Sequence, residues 1–307
     1  MSEFDQLSNV KGTAFTHQCY TQPYPAITPT RPELAQTVKV IVITGVTREI
    51  GQKVVINSIT PIEFYAQDVL YCRKLSSDPR DEGTGLRNFI RTGQPRCHCA
   101  HWPLNAAGNK AFQEITAELG VPQVLINNAG VAGPVKPNLK ASVEEWWNTL
   151  VVNVKAIFTV TKAFVKETGA TPAKQTTIIS ITSMPSQGVP PVLGPYSTSN
   201  AAVNKFTAYL NSEYPNINSF VLDPGVVRTD TTLDVPYLMP YANDSPLLPG
   251  GTAVWLSSGD KKYLSGRYIM SSWNVKEIEA RKGETHECNL LTFALKGEFG
   301  LGNIKVD

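Results

Sequence analysis

The chain contains 307 residues, of which 42% are apolar and 18% are charged, so it can form a sizeable core and is not globally disordered. Its 28 basic and 26 acidic residues leave a net charge of +2, which indicates neither a nucleic-acid partner nor a membrane surface. No apolar run approaches the roughly 18 residues that a membrane helix needs. Five cysteines and an amino terminus without a secretory pattern predict reduced thiols and a cytoplasmic location.

The first 36 residues are polar and rich in proline, which predicts an extended amino-terminal arm (1–36). Its aromatic residues Tyr20 and Tyr24 favour an arm that lies along the surface of the domain. A single central domain is expected over 37–272, followed by a carboxyl-terminal tail over 273–307.

From residue 38 onward, apolar strands alternate with helices. The predicted strands are 38–44, 68–73, 96–100, 123–127, 176–181, 218–222 and 266–270. The predicted helices are 50–59, a segment near 85–92, 106–119, 143–168, 197–214 and 246–256. Because the strands are continuous apolar runs, we expect both faces of the sheet to be covered. The fold class is therefore α/β: one Rossmann-type, doubly wound parallel sheet of about seven strands with helices on both faces.

Several short motifs follow the predicted strands in a fixed order. A glycine-containing turn follows the first strand, Asn127-Asn128-Ala129-Gly130 follows the fourth, Ser183 the fifth and Asp223-Pro224-Gly225 the sixth. Asn153 lies within the long helix, and Tyr196 lies 13 positions after Ser183. Over about 38–272 the chain resembles the short-chain dehydrogenase/reductase family. The arm and the tail resemble those of a fungal branch of that family.

The resemblance implies a catalytic group. In the family a tyrosine exchanges a proton with the substrate oxygen, a serine hydroxyl binds the same oxygen, and a helix asparagine holds a relay water. These roles fall on Tyr196, Ser183 and Asn153. The family lysine that lowers the pKa of the tyrosine is replaced here by Asn200, which is neutral. Lys205 lies roughly half a turn from the face of Tyr196 and is not expected to substitute.

The expected cofactor-binding turn departs from the family pattern as well. It reads Thr44, Gly45, Val46, Thr47, Arg48, Glu49, Ile50 and Gly51. Glu49 stands where the resemblance implies the middle glycine, and a carboxylate there repels a phosphate. We hypothesise that the Glu49 carboxylate occupies the phosphate position as a surrogate. A solvent-exposed acid at a helix start is the alternative.

The resemblance also implies the remaining coenzyme contacts. In the family an aspartate contacts the adenine, and His101 is the nearest equivalent here. The replacement weakens a third coenzyme contact. The retained positions are Asn128, Ala129, Gly130, Pro224, Gly225, Val227 and Thr229. Arg48 and Arg73 lie where a 2′-phosphate would bind. No cofactor is therefore expected, and NADP(H) is favoured over NAD(H) if a nucleotide binds at all.

The segment 226–250 is expected to form a lid over the crevice at the carboxyl ends of the strands. Its apolar residues either line the crevice or pack on the lid itself: Leu233, Tyr237, Leu238, Met239 and Tyr241. Cys97, Cys99 and His101 alternate along one strand without a fourth ligand, so no metal site is expected. Trp146 and Trp147 are expected to serve packing or an interface.

Three functions remain open. The leading prediction is a non-redox enzyme of small-molecule, secondary-metabolite biosynthesis, in which Ser183 and Tyr196 polarise a carbonyl for cyclisation, isomerisation, aldol-type or dehydration chemistry. The alternatives are an NADPH-dependent oxidoreductase with an atypical Tyr-x-x-x-Asn site and a non-catalytic binding protein. The expected partner is a largely apolar carbonyl compound, without nucleic acid or membrane. The resemblance implies a homodimer or homotetramer formed through 143–168 and 197–214.

Overall fold

The fold is an open, twisted sheet between helices. The computed structural model describes residues 15–28, 31–34, 39–45, 50, 69–73, 75–76, 87–89, 96–99, 102–103, 107–169 and 176–294. Within these ranges the strands are β1 Val40–Thr44, β2 Val69–Arg73, β3 Leu75–Ser76, β4 Arg87–Phe89, β5 Arg96–Cys99, β6 Trp102–Pro103, β7 Val124–Asn127, β8 Thr176–Ile181, β9 Ile217–Asp223 and β10 Arg267–Met270.

The helices fill the connections between the later strands. They are α1 Ala107–Leu119, α2 Val143–Leu150, α3 Ala156–Thr168, α4 Gly194–Glu213, α5 Asp230–Leu233, α6 Leu247–Leu256, α7 Val275–Ala280 and α8 Lys282–Glu287. A π-helical segment, Val151–Lys155, joins α2 to α3 without a break. Ser142 caps α2 by accepting a hydrogen bond from the Glu145 amide, while the Glu145 side chain accepts from the Ser142 amide.

The large sheet has the strand order β10-β9-β8-β7-β1-β2-β5-β4. All neighbouring pairs are parallel except β4 and β5, which are antiparallel. The chain moves from β1 to β2 on one side and then returns to place β7 on the other side. This reversal is a topological switch point, where the carboxyl ends of parallel strands leave a crevice.

One predicted element needs correction. The sequence pattern predicts a helix near 85–92, but Arg87–Phe89 forms β4 and pairs with β5. The local pattern is too short to separate a helix from a strand, and the pairing partner lies elsewhere in the chain. Among the described residues the large sheet contains eight strands, close to the expected number of about seven. The expected helix 50–59 lies outside the described residues apart from Ile50.

Apolar side chains fill both faces of the sheet. On one face Val40, Val42 and Leu125 pack with Phe112 of α1 and Phe164 of α3. On the other face the core contains α6, the final strands and the arm: Ile41, Ile43, Ile126, Trp255, Ile269, Tyr24 and Ile27. This two-sided burial explains why the strands read as continuous apolar runs.

The arm packs closely on the domain through residues 15–28. The Tyr24 hydroxyl donates to the Trp273 carbonyl at 2.8 Å and accepts from the Val275 amide at 2.9 Å. The Thr21 carbonyl accepts from the Ser245 amide at 2.7 Å, which ties the arm to the lid segment. The expected arm therefore contributes to the core as well as to the surface.

The joined helix Val143–Thr168 is, by length and composition alone, long and apolar enough to cross a membrane. Its apolar residues are interspersed with polar ones, and half of its most apolar window is buried within the protein. Val160 and Phe164 belong to the core. A core helix satisfies the same composition test as a membrane span.

Candidate active site

A cavity of about 640 Å³ lies at the carboxyl ends of the strands. Its floor is formed by the turns after β1, β7, β8 and β9, which place Gly45, Asn128, Ser183 and Asp223 on its wall. The arm and the lid segment close its sides. A cavity of this size holds a drug-sized molecule.

The turns after β1 and β7 are held together by hydrogen bonds. Thr44 Oγ1 accepts from the amides of Asn128 and Ala129 at 3.0 and 3.1 Å. The Asn128 side chain donates to the carbonyls of Thr44 and Gly45 at 3.2 and 3.0 Å. Gly45 has a φ of +69°, and a methyl group there would lie 2.6 Å from the Ala129 Cα. Glycine is therefore required at this position.

Tyr196 and Ser183 lie together on the cavity wall, Tyr196 on the first turn of α4 and Ser183 just after β8. Burial raises the pKa of Tyr196, and the acid Asp223 adds to this effect. Hydrogen bonding with the side chains of Ser183 and Asn200 opposes the shift without cancelling it. The phenol is therefore protonated at neutral pH and acts as a hydrogen-bond donor.

Asn200 is buried one turn after Tyr196 on α4, and its amide donates to the Tyr196 carbonyl at 2.9 Å. Asn200 thus lines the cavity next to the phenol without supplying a charge. Lys205 is exposed, with its ammonium 5.6 Å from the centroid of the Tyr209 ring. It does not line the cavity, in agreement with its predicted position on the helix.

Asn153 lies in the π-helical segment and joins a loop to α4. Its Oδ1 accepts from the Val131 amide at 2.9 Å, and its Nδ2 donates to the Val131 carbonyl at 2.9 Å and to Ser199 Oγ at 3.0 Å. Ser199 in turn donates to the Tyr196 carbonyl at 2.8 Å. The side chain has thereby used both amide hydrogens, so in this structure Asn153 positions the backbone of Tyr196.

Asp223 is an acid that sequence reasoning placed in a motif but assigned no role. It is 1% exposed, and its carboxylate accepts from the Gly225 amide at 2.7 Å and from the Tyr268 hydroxyl. Burial raises the pKa of Asp223, while the hydrogen bonds from Tyr268, Gly225 and Met184 oppose the shift. The residue anchors the turn after β9 directly behind the cavity.

Asp244 is the second acid of the cavity, and sequence reasoning missed it. Its Oδ2 accepts from the Val226 amide at 2.7 Å, and its own amide donates to the Val226 carbonyl at 3.2 Å. Burial raises the pKa of Asp244 to about 6, a shift that the Val226 hydrogen bond opposes and Asp223 increases. No local signal marks it, because the turn that holds it lies 18 residues away.

The lid segment contributes only part of its predicted apolar face. Leu238 and Tyr241 line the cavity together with Val235. Leu233 is 51% exposed, and the Tyr237 hydroxyl donates to the Pro191 carbonyl at 2.9 Å. Part of this segment thus lines the cavity, which is one of the two alternatives that the sequence left open.

Several predicted residues lie away from the cavity or outside the described part of the chain. Trp146 donates its indole N–H to Asn138 at 3.0 Å and Trp147 is 60% exposed, so neither tryptophan forms a substrate cage. The residues beyond the described part are Arg48, Glu49, Gly51 and His101, together with the side chain of Arg73. The hypothesis of a phosphate surrogate therefore stays a prediction.

At the turn after β9, two of the positions that the resemblance assigns to coenzyme contacts make hydrogen bonds within the turn. The Val227 carbonyl accepts from the Thr232 hydroxyl at 3.1 Å, and the Thr229 hydroxyl accepts from the Thr232 amide at 3.3 Å. A methyl group added at Gly225 would lie 2.4 Å from Asp244 Oδ2, so a carboxylate stands directly against this turn.

Comparison with known proteins relates the chain to one family. The family described as short chain dehydrogenase matches residues 101–236. The chain is 32% identical over 189 residues to the short chain dehydrogenase andI of Emericella variicolor, which covers 61% of this chain and 64% of that protein. It is 26% identical over 284 residues to the short chain dehydrogenase pigC of Monascus ruber, covering 88% and 89%. The chain is therefore similar to short chain dehydrogenases.

Solved structures support the same fold. A short chain dehydrogenase from Pseudomonas syringae superimposes with a TM-score of 0.65 at 20% identity, covering 79% of this chain and 97% of that one. A short chain dehydrogenase from Shigella flexneri, complexed with NADP, gives a TM-score of 0.61 at 19% identity over 78% and 99%. The match to andI and a 31% identical match to tazN of Aspergillus terreus span 64% and 40% of those proteins. The similar curated proteins are fungal short chain dehydrogenases of secondary metabolism.

Proposed function

We propose that this short-chain dehydrogenase carries out non-redox chemistry on a largely apolar carbonyl compound of secondary metabolism. The observation that carries the proposal is the surroundings of Tyr196. A neutral amide, Asn200, and an acid, Asp223, stand near the phenol, and both burial and Asp223 raise its pKa. Among the residues that the structure describes, no lysine, arginine or histidine lines the cavity.

The raised pKa of Tyr196 makes its phenol a hydrogen-bond donor for catalysis. Hydride transfer from a carbinol or to a carbonyl benefits from a phenol whose pKa lies near the operating pH. A phenol that stays protonated instead donates a hydrogen bond to a carbonyl oxygen and stabilises the negative charge that develops there. The Ser183 hydroxyl beside it supplies a second donor. The removal of one such donor typically costs roughly 100- to 1,000-fold in rate.

The cavity wall suits an apolar substrate. Apolar side chains make up most of its surroundings: Ile50, Val131, Leu193, Val203, Leu238 and Met270. Such a wall favours a carbon-rich ketone over a charged metabolite. The bond formed after polarisation depends on the substrate, so cyclisation, isomerisation, aldol-type and dehydration reactions all remain within the proposal.

A titration with NADPH tests the proposal. We expect no saturable change in NADPH fluorescence at micromolar concentration and no NADPH oxidation when an apolar ketone, 1-tetralone, is added. Saturable binding with hydride transfer to the ketone would contradict the proposal. The variants Tyr196→Phe and Ser183→Ala distinguish an enzyme from a non-catalytic binding protein, because a binding protein tolerates both substitutions.

Ketone reduction with NADPH is the second candidate. The family relationship favours it, since one structurally similar dehydrogenase is complexed with NADP. The paired variant Glu49→Gly with Asn200→Lys tests whether these two residues weaken NADPH binding in the native chain. We expect this variant to gain NADPH binding relative to the native chain, because it removes a negative side chain and adds a cation near Tyr196.

A further inference from the structure

The proposed chemistry needs one further group on the cavity wall besides Tyr196 and Ser183. Tyr196 and Ser183 both present hydroxyl groups that donate hydrogen bonds to a carbonyl oxygen. Enolisation, isomerisation and aldol-type reactions also need a base that removes a proton from the carbon next to the carbonyl. Such a base must line the same cavity and keep an accessible lone pair.

The two cavity acids differ in access. Asp223 is 1% exposed and its oxygens accept hydrogen bonds from Gly225 and Tyr268. Asp244 is half-buried on the wall, with Oδ2 held by the Val226 amide. Among the described residues that line the cavity, Asp244 is thus the carboxylate with an oxygen left for a ligand.

The Asp244 side chain is held in place. Its amide and its Oδ2 both bond to Val226, at 3.2 and 2.7 Å, and the next residue, Ser245, donates its amide to the Thr21 carbonyl. Gly225 leaves the space that the carboxylate occupies. A catalytic group must be fixed in this way to approach one substrate atom.

We propose that Asp244 is the general base of the cavity and that its Oδ1 takes the α-proton of an apolar ketone bound to Tyr196 and Ser183. This inference rests on the proposed function. In the step, the α C–H bond breaks and its proton passes to Asp244. The electron pair forms the carbon–carbon double bond of an enolate, whose oxygen accepts hydrogen bonds from the hydroxyl groups of Tyr196 and Ser183. Return of the proton from Asp244 to the carbon restores the ketone and the carboxylate.

The electrostatics of the cavity agree with this role. Burial raises the pKa of Asp244 to about 6, so the group is ionised at neutral pH and basic enough to exchange protons. The titratable groups that share the described wall with it are Cys19, Tyr20, Tyr196, Tyr241 and Asp223. The neighbouring acid Asp223 contributes to the rise in the pKa of Asp244.

Hydrogen–deuterium exchange at the α-carbon of 1-tetralone tests the inference without knowledge of the natural substrate. The full chain is incubated with 1-tetralone in D₂O and the α-proton signal is followed by NMR. We expect exchange above the buffer rate, with a rate that rises with pH through about 6. Asp244→Asn should lower the rate by about 100-fold, since a general base contributes roughly 100- to 10,000-fold.

The control is Asp234→Asn, which removes an acid from the exposed surface of the same segment and should leave the rate unchanged. Asp244→Glu keeps a carboxylate and should retain part of the exchange. Circular dichroism melting of each variant excludes misfolding, and the pH profile of the native chain needs no variant at all.

The outcomes separate the two proposals. Exchange that persists in Asp244→Asn but falls in Tyr196→Phe would overturn the role of Asp244 and leave the proposed function intact. Reduction of 1-tetralone by NADPH would overturn the proposed function and, with it, the base. Exchange no faster than in buffer would overturn the inference for apolar ketones.

Discussion

At the residue scale, the chemistry of the cavity depends on which side chains surround one phenol. Tyr196 is flanked by Ser183 and by Asn200, while Asp223 is buried behind the cavity. A lysine in place of Asn200 would lower the pKa of the phenol, whereas burial and Asp223 raise it. With a neutral amide at position 200, the Tyr196 phenol stays protonated at neutral pH, which is the property on which the proposed function rests.

Asp244 predicts a pH dependence of stability. Its pKa is about 6 in the folded chain against an ordinary value of 3.8, so between about pH 4 and pH 6 the folded chain binds more protons than the unfolded one. The free energy of unfolding therefore falls as pH rises through this window. We expect this decrease in the free energy of unfolding to be on the order of 1–3 kcal/mol in the native chain and to be absent in Asp244→Asn.

Urea denaturation at pH 4, 5, 6 and 7 measures this difference. The relevant quantity is the change in free energy of unfolding between the native chain and the variant at each pH, because other titrating groups cancel in the comparison. A difference that stays constant from pH 4 to pH 7 would show that the Asp244 carboxyl titrates in its ordinary range.

At the element scale, the π-helical segment positions Asn153. A π turn adds one residue to a helical turn and is frequent at functional sites. Here it lies between α2 and α3 and carries the side chain that holds Val131 and Ser199. The segment thus joins the turn after β7 to the helix of Tyr196.

The close contact between the arm and α6 predicts that a methyl group added at Gly251 lowers the stability of the chain. A methyl group at Gly251 would lie 2.6 Å from the Ile27 carbonyl oxygen, and Ile27 is fully buried. We expect Gly251→Ala to displace the arm and to lower the free energy of unfolding by about 1–3 kcal/mol, the usual cost of overpacking. Thermal unfolding and limited proteolysis of the arm measure both effects.

Gly283→Ala is the matched control for this substitution. Gly283 lies in α8, and a methyl group added there would meet no other atom within 4 Å among the described residues. Alanine is favoured over glycine in a helix interior by roughly 0.5–1 kcal/mol, so the control should be neutral or stabilising. Equal effects of the two substitutions would mean that the arm does not pack against α6 as described.

At the scale of the whole molecule, exposed aromatic residues on α3 and α4 bear on self-association. Phe158 is 50% exposed and Tyr209 is 54% exposed, and both belong to the helices expected to form a homo-oligomer. Phe158 packs edge-to-face on Phe206, with ring centroids 5.9 Å apart. The homo-oligomer itself stays a prediction.

We expect Phe158→Glu to convert that oligomer into a monomer, because a carboxylate buried in an apolar interface costs several kcal/mol when unpaired. Sedimentation velocity measures the change. Val189→Glu is the control, since Val189 is 99% exposed in the loop before α4 and belongs to neither helix. A native chain that already sediments as a monomer would contradict the predicted assembly.

The sequence predicted most strands to within two residues because their apolar runs are local signals. Short motifs also singled out Tyr196, Ser183 and Asn153, and all three residues line the cavity. The sequence pattern failed for β4, whose pairing with β5 is not encoded in the three residues themselves. It also gave no signal for Ser199, which joins Asn153 to the Tyr196 backbone through a contact 46 residues apart in sequence.

The order of apolar runs and turns along the chain is enough to specify a doubly wound sheet and to place a tyrosine and a serine at its carboxyl edge, because these properties depend on neighbouring residues. The position of Asp244 against Gly225 and the enclosure of the cavity by the arm depend on contacts between distant segments. The pKa of each cavity acid follows from the same packing, since burial and hydrogen bonds exist only once the chain has folded.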